Sequence, residues 1–144
     1  YLACYYNADV LFGGGDGIDS MFEIQNGLYW VNRVEKSNFI ILFKKVLLFI
    51  EENYTQTLSL NDLSKVAGMT PKYLCKFFNN MSNKTPIEYL NFYRIEIACE
   101  QLLSTDLSVT DIAINCGFND VSYFIKTFKK YKGITPKQYI KKIF

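Results

Sequence analysis

Few side chains in this chain are equipped for chemistry. The 144 residues include no histidine, which removes serine-type triads, the Cys/His pair of thiol proteases and the usual zinc ligand sets. Cys4, Cys75, Cys99 and Cys116 stand too far apart for a C-x-x-C pair. A chain able to build a good core does not need disulfide staples, so reduced thiols are expected. Cys99 and Cys116 fall on apolar faces and read as small core residues, and Cys75 has no nearby group to activate it. Gly13-Gly14-Gly15-Asp16-Gly17 invites a phosphate-loop reading, but no Lys-Ser/Thr follows and no strong strand precedes, so a plain turn is expected. Asp16, Asp19 and Glu23 lack the spacing of a calcium loop and read as solvated acids. No cofactor, no metal and no catalytic residue is expected, and the chain does not read as an enzyme.

What remains is positive charge, and it is unevenly placed. Arg33 and Lys36 stand against Asp9, Asp16, Asp19, Glu23 and Glu35, so the formal +2 of the chain conceals −3 up to Phe39 and +5 beyond it. After Asp120 there is no acid, only Lys126, Lys129, Lys130, Lys132, Lys137, Lys141 and Lys142. Segregated charge of this kind points to an anionic partner of the second part.

The elements that would position these lysines must be folded ones. Hydrophobic residues make up 49% and charged ones 21%, with 3 Pro and 8 Gly, which excludes a disordered or collagenous chain. The apolar stretch from Phe39 to Ile50 is split by Lys44 and Lys45 and is far shorter than the roughly 20 residues of a membrane span. With no secretory signal visible, a soluble, cytoplasmic protein without a membrane partner is expected. The chain opens on Tyr1 rather than Met and reads as a piece of a longer protein.

An internal repeat organises the rest. Leu58-Ser59-Leu60-Asn61-Asp62-Leu63 returns as Leu107-Ser108-Val109-Thr110-Asp111-Ile112, and Gly68 as Gly117, at an offset of 49. After one extra residue, Lys76, Phe78, Thr85, Pro86 and Tyr89 return as Lys126, Phe128, Thr135, Pro136 and Tyr139 at an offset of 50. Two copies are too few for a solenoid, which predicts tandem modules. Each spells helix, tight turn, helix. Ser59-x-x-Asp62 and Ser108-x-x-Asp111 resemble capping boxes. Leu60, Leu63, Val66 and Ala67 share one helical face, as do Val109, Ile112, Ala113 and Cys116, and Gly68 or Gly117 ends the helix where a positive φ costs least. Thr70-Pro71 and Asn119-Asp120 then open the next helix. This is the pattern of a helix-turn-helix.

The predicted fold is all-α, with two helix-turn-helix subdomains joined by a long linker helix and about seven helices after Phe39. Phe39, Leu42, Phe43, Val46, Leu47, Ile50 and Tyr54 form the stripe of the first helix. The first unit is set at 39–84, the linker helix at 85–104 and the second unit at 105–144. Tyr89, Leu90, Tyr93, Ile97 and Leu102 or Leu103 mark the linker's apolar spacing. At about 1.5 Å per residue it spans roughly 27 Å, suited to two readers on successive major-groove faces. Residues 1–38 read as the remnant of an upstream module or linker, with a short amphipathic helix suggested by Ile24, Leu28, Tyr29 and Val31.

The second helix of each unit carries the candidate residues. Leu74, Phe77 and Phe78 mark the buried side of the first, leaving Lys72, Tyr73, Lys76 and Asn79, with Cys75 at the boundary. In the second, Phe124 and Phe128 are buried, leaving Val121, Ser122, Tyr123, Lys126 and Lys130. Lysines can donate to guanine acceptors or phosphates, and Val121 can meet a thymine methyl. Lys129, Lys130 and Lys132 suit phosphates better than bases. Exposed lysines are ordinarily only a solvated face; the repeat and its caps favour the nucleic-acid reading.

From about Phe43 to Ile143 the chain resembles the DNA-binding domain of the AraC/XylS family of bacterial transcription regulators. The likeness runs through Leu60-x-Asp62-Leu63-x-x-x-Ala67-Gly68-Met69-Thr70, Pro86-x-x-Tyr89-Leu90-x-x-x-Arg94, Ile112-Ala113-x-x-x-Gly117-Phe118 and Tyr123-Phe124-x-x-x-Phe128-Lys129. It ends on Gly133-Ile134-Thr135-Pro136-x-x-Tyr139. The resemblance implies sequence-specific binding of double-stranded DNA, with RNA polymerase as a further partner and an effector-sensing or dimerising module upstream. By position it places base reading on Lys72, Cys75, Lys76, Val121, Ser122, Tyr123 and Lys126, and phosphate contact suits Tyr73, Asn79, Lys129 and Lys130. Cys75 and Val121 replace longer polar side chains, which implies thin hydrogen-bonded readout there. Arg94 matches the linker pattern and is expected to be structural. The competing reading is a helical protein-interaction module that keeps the helix-turn-helix shape.

Overall fold

The computed structural model describes residues 20–24, 27–31 and 33–144, with side chains from Asn38 onward. Cys4, the glycine cluster, Asp16 and Asp19 lie outside the described residues, as does the side chain of Glu23. The first described elements are strands. β1 (Ser20–Ile24) pairs antiparallel with β2 (Gly27–Val31), Met21 opposite Trp30 and Ile24 opposite Gly27. This overturns the short amphipathic helix expected around Ile24, Leu28, Tyr29 and Val31. These segments are rich in the aromatic and β-branched types that suit a pleated surface. Four apolar positions were too few to outweigh that composition.

Seven helices follow: α1 (Arg33–Asn53), α2 (Leu60–Ala67), α3 (Pro71–Ser82), α4 (Pro86–Ser104), α5 (Val109–Asn115), α6 (Val121–Lys132) and α7 (Pro136–Ile143). α1 begins at Arg33, ahead of the apolar stripe that starts at Phe39, because nothing between them breaks a helix. The helical contacts sort into two units, one reaching through Glu52 and over Ser59–Glu88, the other formed by Asn53–Leu58 with Tyr89–Phe144.

In the first unit Phe43, Val46, Leu47 and Ile50 of α1 are buried, as are Leu63 and Ala67 of α2 and Leu74, Phe77, Phe78 and Met81 of α3. The Phe43 ring lies 4.8 Å from Phe78 and 6.4 Å, edge-on, from Phe77. In the second unit Ile95, Ala98, Cys99 and Leu102 of α4 join Ile112, Ala113, Cys116, Phe118, Phe124 and Phe128 in one core. Burying each such aliphatic or aromatic side chain contributes about 1.5 to 3 kcal/mol, which fixes which faces of α3 and α6 are left to water.

The linker helix is more than a spacer. Of the positions expected to carry its stripe, Tyr89, Leu90 and Leu102 are buried, Tyr93 and Ile97 are half-buried and Leu103 is exposed, while Arg94, Ile95, Ala98 and Cys99, outside that stripe, are buried as well. α4 is apolar on more than one side, so a single stripe covers only part of its buried surface.

Candidate nucleic-acid interface

The two turns are built by the same local rules. Ser59 caps α2 in a full capping box, its backbone N–H donating to Asp62 Oδ2 at 2.9 Å and its hydroxyl accepting from the Asp62 N–H at 3.1 Å. The Ser59 N–H and the Ser59 hydroxyl, both donating to Asp62 Oδ2, hold the carboxyl below its ordinary range. Ser108 caps α5 with its hydroxyl, which accepts from the Asp111 N–H at 3.1 Å and donates to Asp111 Oδ2 at 2.7 Å. At the far end, Met69 N–H donates to Ser64 O at 3.0 Å and Gly68 N–H to Lys65 O at 3.2 Å. In the second copy Phe118 N–H donates to Ala113 O at 3.0 Å and Gly117 N–H to Ile114 O at 2.9 Å. Both are Schellman closures with a left-handed glycine, φ 65° at Gly68 and 91° at Gly117.

Thr70 then caps α3, accepting from the Tyr73 N–H at 3.3 Å, and Asp120 caps α6, accepting from the Ser122 N–H at 2.8 Å. Along α3, Lys72 and Asn79 are exposed, and Tyr73, Cys75 and Lys76 are half-buried. The Cys75 thiol is pushed up by burial, the opposite of an activated nucleophile. Along α6, Ser122, Tyr123, Lys126, Lys129 and Lys130 are exposed, while Val121 is half-buried against the second unit's core. Neither helix carries an acid. Each therefore has an aromatic face in its own core and a polar face of lysines, amides and hydroxyls toward water.

Two other residues of the second unit belong to this surface without being legible in the sequence, and one lysine expected in it is engaged elsewhere. Ile125 is 36% exposed on α6 between Ser122 and Lys129, one helical turn from each. At i,i+3 from Phe128 it flanks the buried face, and an isoleucine at that spacing looks like core. Asn91 Nδ2 on α4 donates to the Tyr123 hydroxyl at 3.1 Å, a contact 32 residues away in sequence. Lys132, grouped above with the phosphate-binding lysines, is instead paired with Glu96 of α4. Burial alone would lower its pKa, but the hydrogen bond and charge of Glu96 prevail and hold it raised.

Arg94 is 8% exposed and is fully engaged inside its unit. Its Nε donates to Tyr54 O and its Nη2 to Gln56 O, both at 2.8 Å, and the guanidinium lies 5.6 Å over the Phe118 ring. Gly117 packs against this clamp: a Cβ there would collide with the Tyr54 carbonyl oxygen and lie 2.9 Å from Arg94 Nε. Cys116, next to it, has its thiol pushed up to about 12, chiefly by burial. Among the described residues no group of acids and cysteines could hold a metal ion, and no helix is long and apolar enough to cross a membrane.

Comparison with known proteins bears on this geometry. A family model described as a helix-turn-helix domain matches residues 63–142. The melibiose operon regulatory protein of Escherichia coli (strain K12) is 37% identical over 97 residues, 67% of this chain and 32% of that protein. The C-terminal domain of the two-component response regulator yesN from Fusobacterium nucleatum is 41% identical. It superposes with a TM-score of 0.63 over 66% of this chain and 93% of that domain. The DNA-binding domain of AdpA, solved in complex with a target DNA, shares the fold with a TM-score of 0.65 at 22% identity, over 68% of this chain and 88% of that one. The chain spans 32% and 34% of the length of two curated relatives.

Proposed function

We propose that this chain, which belongs to the AraC/XylS family of helix-turn-helix DNA-binding transcription regulators, binds double-stranded DNA by inserting α3 and α6 into successive major grooves. The observation that carries the proposal is the repeated division of faces: Leu74, Phe77 and Phe78 in one unit and Phe124 and Phe128 in the other are buried, and the opposite faces bear lysines and no acid. Lys72, Cys75 and Lys76 of α3 and Val121, Ser122, Tyr123 and Lys126 of α6 are the base-reading candidates. The N-terminal part of a recognition helix is the part that reaches base edges. Tyr73, Asn79, Lys129 and Lys130 are assigned to phosphates. The half-buried Val121 and Cys75 supply van der Waals contact only. Family membership extends the proposal to RNA polymerase as a protein partner and to an effector-sensing or dimerising module upstream of residue 39.

Selection of bound sites from a random duplex pool supplies the specific ligand for the test. Lys76→Ala and Lys126→Ala are each expected to weaken binding to the selected site by about 1 to 3 kcal/mol, with less effect on random duplex. Equal losses on both duplexes would assign these lysines to phosphates. Affinity should fall steeply with salt; failure of the wild type to retain any duplex at low salt would sink the proposal and favour a protein-interaction module.

A further inference from the structure

Asn91 and Tyr123 form a pair whose hydrogen-bond polarity bears on what Tyr123 can recognise. A phenol oxygen both accepts and donates. Here the acceptor side is taken, because Asn91 Nδ2 donates to it at 3.1 Å. The ring itself is held from beside, 6.0 Å from that of Phe118 and inclined at 55°, and Phe118 is in turn fixed under the Arg94 guanidinium. Asn91 and Arg94 lie three residues apart on α4 and so share a face of that helix. Together they grip the turn and first residues of the second helix-turn-helix. Tyr123 is nevertheless 49% exposed, at the third position of α6.

We infer that Asn91 is a positioning residue for recognition by Tyr123: by donating to the phenol oxygen it leaves Tyr123 only its O–H proton to offer, and so sets it as a hydrogen-bond donor toward an acceptor on the DNA. The acceptor is an oxygen or ring nitrogen, either a phosphate oxygen or a base edge such as guanine O6 or N7, adenine N7 or thymine O4. A cytosine amino group, itself a donor, would be rejected. Because polarity is imposed by a residue on the linker helix, neither Tyr123 nor α6 alone specifies it. This inference rests on the DNA-binding reading above.

The test is a double-mutant cycle of Asn91→Ala and Tyr123→Phe, read by binding to the selected site and to random duplex. Each single change should weaken binding to the selected site roughly 3- to 10-fold, the scale of one hydrogen bond. Asn91→Ala in the Tyr123→Phe background should cost nothing more. Asn91→Asp separates donor polarity from mere packing. Its carboxylate can only accept, so it draws the phenol proton inward, and the loss it causes should be larger with Tyr123 present than in the Tyr123→Phe background, where only its charge acts. Sites selected by the Tyr123→Phe protein distinguish the two acceptor sources. Relaxed preference at a single base pair identifies a base edge, and unchanged preference with uniformly weaker binding identifies a phosphate. Additive losses, or a Tyr123→Phe protein that binds like the wild type, would overturn the inference while leaving the DNA-binding reading intact. A wild-type protein that retains no duplex would remove both.

Discussion

Gly68 and Gly117 occupy equivalent places in the two units, each left-handed and each closed by the same pair of backbone bonds, yet their surroundings differ. A Cβ on Gly68 would meet nothing within 4 Å, whereas one on Gly117 would strike the Tyr54 carbonyl and crowd Arg94. The same contrast runs through the candidate reading helices. At an offset of 50, Lys72, Cys75, Lys76 and Asn79 of α3 correspond to Ser122, Ile125, Lys126 and Lys129 of α6. α3 begins under the neutral cap Thr70 and carries Lys72 in its first turn, where α6, under the acidic cap Asp120, has Ser122; beyond the shared lysine position of Lys76 and Lys126, α6 adds Lys129 and Lys130 where α3 has Asn79 and Asn80. A repeated sequence fixes a repeated turn, but the environment of each turn and the order of charge along each helix are set separately. Under the DNA-binding proposal the two units then do unequal work, α3 with an extra lysine at the end proposed to read bases and α6 with extra lysines at the end proposed to meet phosphates.

The sharpest way to break this comparison is to substitute the two glycines. Gly68→Ala should cost about 1 kcal/mol, the penalty of a side chain at positive φ alone. Gly117→Ala adds a collision with backbone and should cost about 2 to 4 kcal/mol; midpoints of urea denaturation measure both. Arg94→Met approaches the same site from the other side. It leaves the Tyr54 and Gln56 carbonyls without their partner, for about 2 kcal/mol. Equal effects of the two glycine substitutions would erase the distinction between the units.

Much of this architecture is legible in the chain because it is local. Caps at Ser59, Thr70, Ser108, Asp120 and Thr135, the glycine closures and the aromatic faces of α3 and α6 are all set by residues within four or five positions of one another. What is not legible depends on distant partners. Arg94 reaches Tyr54 and Gln56, 40 and 38 residues away, and Lys132 reaches Glu96, 36 away, so neither burial nor pairing could be inferred from spacing. The β-hairpin is a different case: the aromatic and β-branched residues of its two strands are the stronger signal, and the helical spacing of four apolar positions is the weaker one. For α4, one apolar spacing reaches the buried Tyr89, Leu90 and Leu102 but not Ile95, Ala98 and Cys99, which are buried on another side.

The smallest expected effect sharpens the assignment of charge. Exchanging the residues that differ at one equivalent position, Asn79→Lys and Lys129→Asn, should move affinity for random duplex in opposite directions, each by less than about 1 kcal/mol. Asn79→Lys should steepen, and Lys129→Asn flatten, the dependence of log K on log salt by about 0.9. Salt titrations of the two variants and the wild type read this directly.

The central claim, that α3 and α6 read one duplex together through a continuous linker helix, is tested most directly by the spacing of the selected site. Five base pairs inserted between the two contacted segments turn one by about half a helical repeat relative to the other. The account predicts that affinity then falls to that of a duplex retaining a single segment. Unchanged affinity after the insertion would contradict it.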